Sequence, residues 1–368
     1  LSRITDSFVI SRNTAFTYRN KPVDTKQIGR ELGVRYVLEG SVRRSGSQVR
    51  VNAQLIDAET DAHLWAERFD CDMGGLFALQ NEITSRIAIA LNLELLGAEA
   101  ARPTEHPDAL DFTLQGRATW LKPRSRDEYA KAVSLFERAL ALDPQSVEAQ
   151  SRLAIGFAAR VLDEMADTAA LDIARADGLV RQALTTSPHS PLAHYAKGTV
   201  LRAQRRNEEA ILEYEAVIAF DRNSANAYAQ LARCKFYAGS IEEMILLAEK
   251  AIRLSPRDGQ IGNWYFRIGV VHLVQSRIDE AIVWLEKARS AIPATPAFHA
   301  HLASAYALRG DTERATAELA EARMLSADGR YSSIAHLKAV GDFGVPSVRA
   351  LYEATYFAGL RKAGMPEE

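Results

Sequence analysis

Cysteine is almost missing from this chain: Cys71 and Cys234 are the only two in 368 residues. They lie in stretches of different character, which argues against a disulfide framework and leaves the redox compartment open. No run approaches 18 apolar residues, the length that would make a membrane-spanning helix. An excess of one charge is also missing: 45 Lys and Arg stand against 47 Asp and Glu, a net charge of −2. Residues 1–98 hold 12 of each sign, so no basic domain hides behind the average to favour nucleic acid or an anionic membrane.

The motifs of common chemistries are missing too. There is no Gly-x-Gly-x-x-Gly, no phosphate loop and no His-Glu-x-x-His. Neither cysteine has a Cys-x-x-Cys partner, and His299 and His301 are two apart, about 200° around a helix, so they cannot share a metal. No catalytic, cofactor-binding or metal-ligating residue is therefore assigned, and no cofactor is expected. The chain opens on Leu1, and Leu1-Ser2-Arg3-Ile4 reads as the end of an amphipathic helix before a strand at Phe8-Val9-Ile10. The expectation is that it starts inside a longer protein, with a processed amino terminus as the alternative.

What the chain does have is an internal repeat. Gly198, Leu201, Ala210, Tyr214 and the turn at Asp221 set a pattern. It returns as Leu231, Ala232, Ala248, Ala251, Pro256, then Gly269, Ala281, Leu285, Ala288, Pro293, then Leu302, Ala303, Tyr306, Ala315, Leu319, Ala322. Pro188 to Pro256 is 68 residues, Ala281 to Ala315 is 34, and Gly198–Ala210 and Gly269–Ala281 are both 12. The small residues let two antiparallel helices touch, the larger ones fill the space between hairpins, and proline ends each second helix. Two earlier units fit with insertions. One is Gly116, Ala132, Phe136, Ala139, Pro144, with four extra residues; the other is Leu153, Ala154, Ala176, Ala183, Pro188, with about ten extra around 160–170. The period and the residue classes resemble tetratricopeptide repeats, about six of them over residues 111–328. Residues 329–368 are expected to cap the array, with a helix near Val345–Ala363 burying Leu351, Tyr352, Tyr356 and Leu360.

Residues 1–98 read differently. Tyr36, Leu38, Gly40 and Val42 alternate with polar neighbours, as do Val49, Val51, Ala53 and Leu55, and Ser45-Gly46-Ser47 separates the two runs. Period two with a turn between predicts a hairpin with one buried face. A third strand is expected over His63–Phe69, a helix over Asp24–Leu32 stopped by Gly33, and a second helix over Leu76–Leu95 with Leu76, Leu79, Ile83, Ile87 and Ala90 on one face. The fold expected is thus mainly α: a superhelical solenoid preceded by a small α+β domain with a mostly antiparallel sheet, joined by a linker at 99–110.

Val9–Phe16, Gly29-Arg30-Glu31-Leu32-Gly33-Val34-Arg35-Tyr36-Val37-Leu38-Glu39-Gly40-Ser41-Val42-Arg43, Gln54–Ala58 and Leu64-Trp65-Ala66-Glu67-Arg68 together resemble the TolB-amino-terminal-like (FlgO-like) domain. In bacterial proteins that domain sits between an output domain and tetratricopeptide repeats. The closing Tyr356–Glu367 resembles the ending of the group linked to class III adenylate/guanylate cyclases. The resemblance implies a non-catalytic, protein-interacting or sensory region of a bacterial signalling protein, with an upstream output domain in the same polypeptide. The alternatives are the same module on a winged-helix regulator, or a free-standing scaffold. A membrane span upstream, as in many relatives, would put the region in the periplasm; the compartment stays open.

In tetratricopeptide folds the first helix of each hairpin lines the concave face, so the expected partner is a protein or peptide held there. In this register Tyr195, Thr199 and Arg202 face inward, then Asn226, Arg233, Phe236 and Tyr237, then Phe266 and Val270. Aromatic and arginine side chains of this kind dominate binding hot spots; the competing reading is that some pack between helices. The equivalent positions lack the Asn/Lys clamp with which chaperone-binding repeats hold a terminal carboxylate. Arg43, Arg44 and Arg50, with Arg12 and Arg19, offer an anion patch or, as the plainer reading, the wet face of the sheet. Trp65, Trp264 and Trp284 read as core, and Glu208, Glu209, Glu242 and Glu243 as helix starts serving the dipole.

Overall fold

In the computed structural model the described residues are 10, 14, 17–18, 24–46, 48–72, 108–120, 122, 125–256, 258–326 and 329–368. The helix expected over Leu76–Leu95, most of the first strand, Arg12, Arg19 and the linker around 102–107 lie outside them. The chain divides into two units, Leu1–Thr104 and Glu105–Glu368.

In the first unit, helix α1 (Thr25–Leu32) starts where the Asp24 carboxylate accepts from the Lys26 N–H and stops at Gly33, whose φ of 62° favours glycine. Strands β1 (Tyr36–Ser45), β2 (Gln48–Asp57) and β3 (Ala62–Asp72) form one antiparallel sheet in the order β1-β2-β3. Ser45 pairs with Gln48, and the same register sets Leu38 opposite Leu55 and Val42 opposite Val51. Leu55 then faces Trp65 and Val51 faces Phe69, with a register shift between Leu55 and Ile56. Period two thereby puts Ala53, Leu55, Trp65 and Phe69 on one buried face. Arg43, Arg44 and Arg50 are exposed, and Arg50 pairs with Asp70 at 2.6 Å, so it belongs to the wet face.

The second unit is a run of helical hairpins. Among the described residues there are six: α2 (Ala109–Trp120) with α3 (Arg126–Leu142), α4 (Val147–Leu162) with α5 (Ala169–Thr186), α6 (Pro191–Ala203) with α7 (Asn207–Phe220), α8 (Ala225–Tyr237) with α9 (Ile241–Leu254), α10 (Ile261–Val274) with α11 (Ile278–Ala291), and α12 (Pro296–Arg309) with α13 (Thr312–Leu325). Local chemistry starts them. Ser125, Ser146, Ser190 and Asp311 each accept a backbone N–H of the first turn, and proline opens α6 and α12. Glu208, Glu209, Glu242 and Glu243 lie in first turns, where they complement the helix dipole.

Within each hairpin one helix rests on the other through a small residue. A side chain on Gly116 would meet the Phe136 ring at 2.5 Å, one on Gly198 the Tyr214 ring at 2.8 Å, and one on Gly269 Leu285 Cγ at 2.7 Å. Ala154, Ala232 and Ala303 hold the same place in the other hairpins, all nearly without exposure. On the facing helices Ala132, Ala176, Ala210, Ala281 and Ala315 are equally buried, with Met244 in the fourth hairpin. The insertion in the second hairpin divides between a longer α4 and the connection at 163–168. Arg160 at the end of α4 reaches across to buried Asp172 at the start of α5 in a two-pronged ion pair.

The chain then folds back. Helix α14 (Ile334–Val340) is followed by α15 (Pro346–Tyr352), a π-helical turn at Glu353–Phe357 and α16 (Ala358–Lys362). Tyr352, Tyr356 and Leu360 are buried as expected and Leu351 is half-buried. The Ser304 hydroxyl donates to the Tyr356 carbonyl at 2.9 Å, and Gly359 lies so close that a Cβ would meet the Ser304 carbonyl oxygen at 2.5 Å. The backbone N–H groups of Ile334 and Ala335 are met by the carbonyls of Pro366 and Glu367, both at 2.9 Å.

Ala281 has no exposed surface. Ala281→Leu should overpack the α10/α11 contact and lower stability by about 1–3 kcal/mol in a urea or thermal melt. An unchanged melt would mean the hairpin register is misplaced.

Candidate functional site

The first helices of the hairpins present a shared face, and its two halves differ. On α6, Thr199 is buried: its hydroxyl donates to the Tyr195 carbonyl at 2.9 Å and lies 3.2 Å from the Tyr214 hydroxyl. Tyr195 is half-buried, with its ring edge-on to Tyr214 at 5.5 Å. Arg202, also buried, donates to the Gln230 side-chain carbonyl on α8. On α8, Asn226 is exposed and Arg233 half-buried, its guanidinium 5.7 Å from the centre of the Tyr237 ring.

The other half is covered by the chain's own carboxy-terminal segment. The Val345 N–H donates to the Tyr237 carbonyl at 3.1 Å, and Gly344 packs so closely that a Cβ would meet that carbonyl at 2.9 Å. Only glycine suits Gly344, whose φ is 75°. Tyr352 stands edge-on to Phe236 at 6.1 Å and to Phe343 at 5.0 Å. Phe266 stacks on Phe298 at 4.7 Å and meets the edge of His301 at 4.8 Å. Phe236, Phe266 and Val270, expected to line an open groove, are therefore core residues, and Tyr237 sits at the border of the covered half. The expectation treated the tail only as an end cap and missed that it also lies across this face.

Three arginines absent from the expected set join the face. Arg117 on α2 and Arg152 on α4 share the Glu148 carboxylate, each at 3.3 Å. Arg267 on α10 donates to the Tyr237 hydroxyl at 3.2 Å. Burial first, then Arg202 and Arg267 alongside, pull the Arg233 guanidinium below the usual arginine range; burial and then Arg117 do the same to Arg152. Elsewhere, a shallow cavity of about 430 Å³ lies between α5, α6 and α7, rimmed by Lys197, Arg206, Glu209 and Glu213. Its charges are already paired: Lys197 with Glu213 at 2.6 Å, Arg206 with Glu209, and Asp177 with Arg181. Among the described residues no cluster of three or more metal-binding side chains occurs, and no helix is long and apolar enough to cross a membrane.

The profile of the Tetratricopeptide repeat family matches residues 168–228. The helical unit folds as a tetratricopeptide-like solenoid. In fold it is similar to a chain of the APC/C hetero-tetramer Cut9-Hcn1, with a TM-score of 0.53 at 15% identity, over 69% of this chain and 46% of that one. It is also similar to pilF of Pseudomonas aeruginosa, with a TM-score of 0.46 at 14% identity, over 63% of this chain and 96% of that one. In sequence the chain is 36% identical over 214 residues to the Rhizobium meliloti (strain 1021) protein named "Putative adenylate cyclase 3", a match that takes in 57% of this chain and 36% of that relative's length.

The tail is held down in part by His301, which stacks on Tyr356 at 4.0 Å and donates from Nδ1 to the Ala297 carbonyl at 2.7 Å. Burial pulls its value down from 6.5 to about 3, so the folded chain keeps this ring neutral. Below about pH 6.5 the unfolded chain binds a proton the folded one refuses, so stability falls as pH falls and levels off below about 3. His299 works the other way: its hydrogen bond to Glu318 raises it, giving stability that is present below about 6.5 and lost as pH rises through the folded value. Between pH 6 and 4, His301→Leu should flatten the decline in unfolding free energy by about 1.4 kcal/mol per pH unit. Equal slopes in the two proteins would remove His301 as the acid-labile contact.

Proposed function

We propose that this chain is a non-catalytic, protein-interacting and sensory region of a bacterial signalling protein, the carboxy-terminal part of an adenylate or guanylate cyclase-like parent. In this reading the amino-terminal unit is TolB-amino-terminal-like and couples the solenoid to an output domain upstream in the same polypeptide. The observation that carries the reading is the 36% identity over 214 residues to a protein named as a cyclase, in a chain whose described part is mostly repeats. The three-stranded antiparallel sheet with α1 agrees with the small α+β domain this requires. The partner is a protein or peptide, held on the open half of the inner face from α2 to α8. There Tyr195, Asn226 and Arg233 are the candidate contacts, with buried Thr199 and Arg202 as their support.

Two measurements test this. Incubated with ATP or GTP and Mg²⁺ or Mn²⁺, the purified chain should give no cyclic nucleotide; product above a blank would overturn the non-catalytic assignment. Partners captured from extract of the source bacterium should be lost on Arg152→Ala with Arg233→Ala while helical circular dichroism is kept. They should remain on Glu242→Ala with Glu243→Ala, at the start of the second helix α9. If both pairs keep the same partners, the inner face is not the binding surface.

A further inference from the structure

Each first helix from α2 to α10 brings one arginine to the shared face: Arg117, Arg152, Arg202, Arg233 and Arg267 in turn. Carboxylate does not keep pace with them. Glu148 alone serves both Arg117 and Arg152. Arg202 has the neutral Gln230 amide and the Tyr214 hydroxyl, Arg267 the Tyr237 hydroxyl, and Arg233, among the described residues, the Tyr237 ring that it shares with Arg267 at 5.7 and 5.8 Å, with Asp163 acting on it electrostatically. Guanidinium groups stay charged at any working pH. Three half-buried or buried like charges with no ion-pair partner among the described residues repel one another and have lost much of their water. The protein as a whole is slightly negative, so this is a local concentration of positive charge.

The chain itself shows what kind of group enters here. Its segment Gly341–Val345 reaches this face without helix or strand, turning at Gly344 and hydrogen-bonded from Val345 to Tyr237, with Asp342 close enough to act electrostatically on Tyr237 and Tyr352. We infer that the open half of the inner face binds an extended acidic peptide whose carboxylates offset the positive charge at Arg233 and Arg202, running on from the docked tail at Arg267 toward Arg152 and Arg117. This rests on the inner face being the partner surface and names the partner's chemistry. Neighbouring helices lie about 10 Å apart, so five first helices span about 40 Å, the reach of about a dozen extended residues. A nucleic acid fits less well. The Tyr237 ring is already flanked by two guanidinium groups and Tyr195 is packed on Tyr214, so neither offers a free face for stacking a base.

The test uses the full chain and a fluorescein-labelled peptide of about twelve residues alternating glutamate and alanine, with its glutamine counterpart as the neutral probe. By fluorescence anisotropy at low salt the glutamate peptide should bind about tenfold or more tighter than the glutamine one, and about 0.5 M salt should erase the difference. Arg233→Gln should weaken the glutamate peptide about tenfold, while Arg253→Gln, exposed on a second helix, should not. Without peptide, Arg233→Gln should melt no lower than the parent, because it removes a charge with no ion-pair partner among the described residues; a lower melting temperature would make Arg233 a structural residue and overturn the inference. Equal binding of both peptides would overturn the acidic preference and leave the inner face as the partner surface. Binding of neither would overturn both. Binding of a labelled oligouridylate in preference to the glutamate peptide would reassign the face to nucleic acid.

Discussion

Two helices can lie close enough to share one core only where a side chain is nearly absent, and the helical unit is organised around that contact. At Gly116, Gly198 and Gly269 the partner helix's Phe136, Tyr214 or Leu285 occupies the space a Cβ would need. The large side chain fills that space and takes most of its burial there; Tyr214 and Phe136 are almost wholly enclosed. Because every hairpin closes in this way, all of them present their first helices on the same side. The shared inner face follows from the pairing contact, and so does the vacancy that some chain must cover at the end of the stack.

That vacancy explains the tail. An uncapped last hairpin would expose the apolar flank of α12, and the returning segment covers it with Tyr352, Tyr356, Phe357 and Leu360. Gly359 permits the approach to Ser304 in the same manner as the hairpin glycines, and Gly344 allows the chain to turn against Tyr237. The same segment therefore closes the solenoid and fixes where the open part of the inner face begins.

The repeats were legible because their spacing is enforced by geometry: a small residue on the first helix must meet a large one on the second, so Gly198 with Tyr214 and Gly269 with Leu285 recur at one spacing in the sequence. The hairpin β1–β2 was legible for the same kind of reason, since period two fixes the face and Ser45-Gly46-Ser47 separates the two runs in the sequence. Phe236 and Phe266 were misplaced because helical periodicity says which side of α8 and α10 they occupy, not what lies on that side. Tyr352 of the returning tail covers Phe236, and Phe298 and His301 of the next hairpin cover Phe266; neither neighbour leaves a local periodic trace. Arg117, Arg152 and Arg267 were passed over for a related reason: arginine on a helix reads as a solvated charge unless its neighbours across helices are known.

Those neighbours change what the arginines mean. A surface arginine contributes little to stability either way, whereas Arg202 and Arg233, drawn toward the seam between α6 and α8, give up hydration without gaining an ion pair among the described residues. A sequence optimised only for stability would place neutral side chains there, as it does one hairpin on, where Val270 is buried and Phe266 packs on Phe298 and His301 of α12. The contrast between the two halves of one face is thus a contrast of occupancy. Where the chain supplies its own cover the inner positions are mostly apolar, with Arg267 bonded to Tyr237 at the border, and where it leaves the face open they carry charge that an incoming group can neutralise.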